Sequence, residues 1–135
     1  MAGRAVIVHC LEQARTAAAV AAALGVPLTL ASAPGAAGYL GALWFRELLA
    51  ATRAAYPEVE IEGILDCGDQ PGLVMAALRQ GLDAVRFTGP ARTARVLGEI
   101  ALPYGARIVR GRLAACNLLD AADPAAACRA WLSRP

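Results

Sequence analysis

"VEIEGILDCGDQPGLVMAALRQGLDAVRFT", residues 59–88, places two apolar runs on either side of an alanine- and leucine-rich segment. The first run alternates glutamate with apolar residues and then becomes wholly apolar up to Asp66. Such a strand enters from solvent and ends inside a core. Residues 70–80 read as a helix, opened by Asp69 as N-cap and stopped by Gly81. "LDAVRFT" (82–88) follows as a second strand. Apolar strand, helix and apolar strand in so short a span make the βαβ unit of a parallel sheet, whose strands are covered on both faces and therefore lack polar alternation.

The same alternation extends in both directions. "RAVIVHC" (4–10) is a strand, "LEQARTAAAVAAAL" (11–24) a helix closing on Gly25, and "VPLTLAS" (26–32) a second strand. "APGAAGYLG" (33–41) is a glycine-rich loop before a helix over 42–56 that Pro57 stops. Beyond the opening stretch, residues 90–104 form a helix starting at Pro90. "ARIVRG" (106–111) is a fifth strand, whose interleaved arginines mark a sheet edge. Residues 112–122 carry no assignable pattern, and Asp123 with Pro124 opens a short C-terminal helix bearing Trp131. The expectation is a single α/β domain over 1–135, three-layered, with a five-stranded, mainly parallel sheet and helices on both faces. A flavodoxin-like strand order, 2-1-3-4-5, is expected. The alternative is a barrel fragment completed by association.

Composition narrows the function. Hydrophobic residues are 58% and charged residues 18%, against about 45–50% and about 25% in ordinary soluble domains. The excess is largely alanine, which suits closely packed helix faces and predicts a homo-oligomer. Net charge is +2 with no basic block, so no nucleic-acid partner is expected. Every basic residue is arginine; without lysine there is no Schiff-base amine and no Walker A loop. Residues 16–45 carry no charge, but Gly25, Pro27, Pro34, Gly35, Gly38 and Gly41 cut the run into pieces too short to span a bilayer. No membrane segment and a cytoplasmic location are expected. Cys10, Cys67, Cys116 and Cys128 show no CxxC spacing, which writes neither a zinc ribbon nor a thioredoxin motif.

In parallel α/β sheets, ligands bind beyond the carboxyl ends of the strands. Those ends deliver His9 and Cys10, Ser32, Asp66 and Cys67, then Thr88, Gly89 and Arg92. Asp66 closes a buried strand, where a carboxylate is costly unless bonded or used, so it is the first candidate for acid/base work. Asp69 beside it reads as a helix cap. His9, the chain's one histidine, is the second candidate, as a proton carrier. Ser32, Gly35, Gly38, Cys67, Thr88, Gly89 and Arg92 are expected to hold a small anionic metabolite, the glycines by exposing backbone N–H groups and Arg92 by its charge. No metal site is expected, and no particular cofactor is implied. The competing reading is a non-catalytic oligomeric scaffold or regulatory module. In it the rim residues only cap helices, and Tyr39, Trp44 and Phe45 fill an interface.

Overall fold

The computed structural model describes residues 3–135. Among them lie six strands and five α-helices: β1 (Arg4–Ile7), α1 (Leu11–Leu24), β2 (Leu28–Ala31), α2 (Ala42–Ala55), β3 (Ile61–Asp66), α3 (Pro71–Arg79), β4 (Ala84–Arg86), α4 (Ala91–Ala101), β5 (Arg107–Val109), β6 (Ala115–Asn117) and α5 (Pro124–Leu132). Short 3-10 turns occupy Ala36–Gly38 and Leu102–Tyr104. The strands are all parallel, in the order β5-β4-β3-β2-β1-β6, and helices flank them.

The α/β class, the parallel sheet and the short C-terminal helix are as the sequence reads. The strand order is not. In place of 2-1-3-4-5, each of β1 to β5 neighbours its sequence successor, which is the winding of a βα-barrel, and the order reverses only at β1. The sixth strand comes from the stretch without a readable pattern and lies on the far side of β1. The arginine-bearing β5 ends the order, as its composition predicts.

The chain divides into two compact units, Met1–Ala31 with Glu47–Glu62 and Leu113–Pro135, and Ser32–Arg46 with Gly63–Arg112. In the first, β1 pairs with β2 from Arg4↔Leu28 to Ile7↔Ala31, and with β6 from Ala5↔Ala115 to Ile7↔Asn117. Helix α1 packs against α5, and its buried positions include Ala14, Ala17, Ala18 and Ala21. Methyl-sized side chains let two helix backbones approach closely, which is where much of the alanine goes. Trp131 fixes α5 to β1: its Nε1 donates to the Ala5 carbonyl at 2.8 Å, and the Arg4 and Arg134 guanidinium groups lie 5.1 and 5.0 Å from its ring. Gly3 admits no side chain, because a Cβ there would collide with the Pro27 carbonyl.

In the second unit β3 meets β4 at Leu65↔Val85 and Asp66↔Arg86, and β4 meets β5 from Ala84↔Arg107 to Arg86↔Val109. Its core holds Leu65, Val74, Leu78, Val85, Phe87 and Leu97. Here α3 packs beside α4. One expectation for α3 needs correction. Its N-cap is Gln70, not Asp69, and the Gln70 side chain makes no capping bond. Proline tolerates the first helical position because its missing N–H would be unpaired there anyway, so Pro71 at that position puts the cap at Gln70 and leaves Asp69 outside.

Candidate functional site

Asp66 ends β3 with only 5% of its surface exposed. Its Oδ1 accepts the Gly35 and Gly68 amides, both at 2.9 Å, and its Oδ2 accepts Arg86 Nη1 at 3.0 Å. The Asp66 amide donates to Ser32 Oγ at 2.9 Å. The register explains the ion pair, since Arg86 is the residue directly opposite on β4. A carboxylate has about four acceptor positions. Three are filled, leaving one on Oδ2.

This arrangement changes the meaning of the glycine loop. Gly35 sits at φ 69, a left-handed conformation that a side chain disfavours, and its amide points at Asp66. Gly38 donates its own amide to the Gly35 carbonyl at 3.0 Å. The two amides expected to meet an external anion are therefore occupied, one by a carboxylate of the protein itself. Ser32 is buried, accepts from Asp66 and donates to the Ala33 carbonyl at 3.2 Å, so it too fixes the loop.

Cys67 is fully buried, with its thiol facing the Leu65 carbonyl. Burial first and the Asp66 charge second push its pKa up from 9.0 to about 12. A thiol so held packs as a small hydrophobe and offers no thiolate to a ligand. Among the described residues, no group of three or more His, Cys, Asp or Glu side chains converges as metal ligands would.

Thr88, Gly89 and Arg92 follow β4. Thr88 is exposed and its amide reaches the Gly68 carbonyl at 2.8 Å. The Gly89 backbone lies against the Phe87 ring, so a Cβ there would overlap the aromatic carbons. Arg92 is exposed on the first turn of α4, whose N-cap, Pro90, supplies no side-chain acceptor. Two arginines outside the expected set complete this end of the unit. Arg86 Nε and Nη2 grip the Gly111 carbonyl at 3.0 and 2.7 Å. Arg110 Nη1 grips the Phe87 and Gly89 carbonyls, each at 2.8 Å, while its guanidinium lies 5.6 Å from the Phe87 ring. A charged residue inside the apolar run "LDAVRFT" is the one sequence signal that marks Arg86.

His9 belongs to the other unit, two residues past the end of β1. Its Nε2 is 2.7 Å from Asn117 Oδ1, and its amide donates to Gln13 Oε1 at 2.7 Å. Cys10 is the N-cap of α1 and is exposed. Asn117 and Gln13 were not among the expected site residues; one lies on the three-residue β6 and the other inside an alanine-rich helix. Cavities of about 430 and 440 Å³ lie elsewhere, beside Pro27 and Glu58 in one unit and between α4 and β5 in the other.

No protein-family model matches the chain. Over 82 residues, 61% of its length, it is 33% identical to a fructose-bisphosphate aldolase of Xanthobacter flavus, of which the match covers 23%. A provisionally assigned fructose-1,6-biphosphate aldolase from Coccidioides immitis aligns with a TM-score of 0.63 at 22% identity, over 81% of this chain and 45% of that one. The second likeness shows the fold. The chain thus spans under a quarter of the curated relative and under half of the solved structure. In the described residues no helix is long and apolar enough to cross a membrane.

Proposed function

We propose that the chain is a βα module that binds a phosphorylated sugar, or a phosphate ester of like size, at the carboxyl ends of its strands. The observation that carries this reading is the arginine-rich rim after β4 and β5. There Arg110 keeps donors beyond those used on carbonyls, and Arg92 stands exposed at an uncapped helix start. Guanidinium groups and free helix-start amides are the donors phosphate oxygens pair with best. The 33% identity to an enzyme named for a sugar bisphosphate supports the same ligand class. In this reading Thr88 and Gly89 line the anion's approach, while Ser32, Gly35, Gly38 and Asp66 shape the loop rather than touch the ligand. Aldol cleavage through an iminium is outside its chemistry, because that route needs a lysine amine.

The test is thermal stabilisation by fructose 1,6-bisphosphate, with inorganic phosphate as the smaller probe. A ligand at one hundred times its dissociation constant adds about 2.7 kcal/mol, which raises the melting temperature by several degrees. Arg92→Ala leaves the unliganded melting temperature unchanged and removes most of that rise. No rise for the wild type with either probe overturns the reading.

A second reading is an oligomeric module without such a ligand. Its support is the exposed apolar set Tyr39, Leu40 and Leu43 within one short segment, alongside the open outer edge of β5. Light scattering decides it: a monomer at micromolar concentration removes this reading.

A further inference from the structure

The carboxyl ends of β1 and β6 hold a polar cluster that the phosphate rim does not use. Asn117 Oδ1 lies 2.7 Å from His9 Nε2, and the same oxygen accepts the Leu119 amide at 3.0 Å. A backbone amide only donates, so the Asn117 atom it meets is the carbonyl oxygen and not the NH2. That oxygen has no proton to give. His9 Nε2 must therefore carry the hydrogen, and a neutral imidazole with one N–H keeps its lone pair on the other nitrogen, Nδ1. Gln13 holds the neighbouring backbone in place, accepting from the His9 amide and donating from Nε2 to the Leu118 carbonyl at 3.1 Å.

We propose that Asn117 is a positioning residue that fixes His9 as the Nε2–H tautomer, and that His9 Nδ1 is the proton acceptor for a ligand at the ends of β1 and β6. The inference goes beyond the phosphate rim and takes from the sugar-phosphate reading the class of ligand alone. In the step itself, an O–H or activated C–H bond of the ligand breaks and its electron pair stays on the ligand. The proton forms an N–H bond at Nδ1. The resulting imidazolium keeps Nε2–H on the Asn117 carbonyl oxygen, an acceptor that grows stronger as the ring becomes charged.

The chain has a single histidine, so two-bond nitrogen–proton correlation spectra of the ¹⁵N-labelled full chain show one imidazole. At a pH where the ring is neutral, the wild type shows protonated Nε2 and unprotonated Nδ1. Asn117→Ala lowers the tautomer ratio roughly fivefold, the factor one ordinary hydrogen bond contributes. Asn117→Asp keeps an acceptor oxygen and restores the ratio. A wild-type ring protonated on Nδ1, or a ratio that Asn117→Ala leaves unmoved, overturns the assignment of Asn117. These spectra need no ligand, so their failure is separate from failure of thermal stabilisation. Adding fructose 1,6-bisphosphate moves the Nδ1 resonance; stabilisation without that movement overturns the role of Nδ1.

Discussion

Asp66 and His9 each stand at the carboxyl end of a strand, in different units, and their partners differ in kind. Asp66 is buried and its oxygens take two backbone amides and a guanidinium, so it orders the loops that follow β2, β3 and β4. His9 is partly exposed and one ring nitrogen is engaged by an amide oxygen, which leaves the other with its lone pair. The same position in the fold thus serves two purposes. A buried charge is used to build, whereas the half-buried ring keeps one nitrogen without a protein partner among the described residues, and the difference lies in how many hydrogen-bonding positions the protein already fills.

The largest effect that sharpens this contrast comes from the thiols. Burial and the Asp66 charge raise the Cys67 pKa from 9.0 to about 12, and burial with Cys116 raises that of Cys128 to about 11. A folded-state pKa above the unfolded value gives stability that is complete below pH 9 and is lost as pH rises toward the folded value. For Cys67 the full loss is about 4 kcal/mol, somewhat less for Cys128. Denaturant melts at pH 8, 9.5 and 11 therefore show falling stability, and Cys67→Ala removes about half of the slope. An unchanged slope in that variant would contradict the burial of the thiol beside Asp66.

Next in size is Asp66→Asn against His9→Ala. Asparagine retains an oxygen for the Gly35 and Gly68 amides but sets its NH2 against Arg86 Nη1, leaving a largely buried guanidinium donor facing another donor. The expected cost is about 3 kcal/mol by urea melts. His9→Ala should cost under about 1 kcal/mol, since its bonds lie at a solvent-facing rim. Equal losses would erase the distinction between a side chain that orders the fold and one that does not. Gly35→Ala comes below Asp66→Asn, at about 1 kcal/mol: it keeps the amide that Asp66 accepts, finds open space for its Cβ and suffers only the left-handed φ.

The elements were legible because each is announced locally. Apolar runs, glycine stops such as Gly25 and the Asp123–Pro124 start all act within a few residues. Strand order was not legible, because periodicity tells a strand which face is buried and nothing about which strand lies beside it. The three-residue β6 is too short to show a period at all. The site divides in the same manner. That Asp66 closes a buried strand was readable. Its guanidinium partner was not, as Asp66 and Arg86 meet only through the β3–β4 register. His9 was readable as a lone titratable group at a strand end, whereas Asn117 joins it from a strand more than a hundred positions away in sequence.

The smallest effect tests that local grammar where it failed. Both α3 and α5 have proline at the first helical position and aspartate shortly before it, but the spacing differs by one residue. In α5 Asp123 directly precedes Pro124, and its Oδ1 accepts the Ala126 amide at 3.1 Å. In α3 Gln70 intervenes, and Asp69 is left exposed outside the helix. Asp123→Ala should therefore cost about 1 kcal/mol, the usual value of a lost N-cap. Asp69→Ala should change stability by less than about 0.5 kcal/mol, as exposed positions without such a role do. Urea melts of the two single variants separate them. A loss for Asp69→Ala as large as for Asp123→Ala would mean that the carboxylate two residues before Pro71 caps α3 after all, and that proline does not fix the cap by itself.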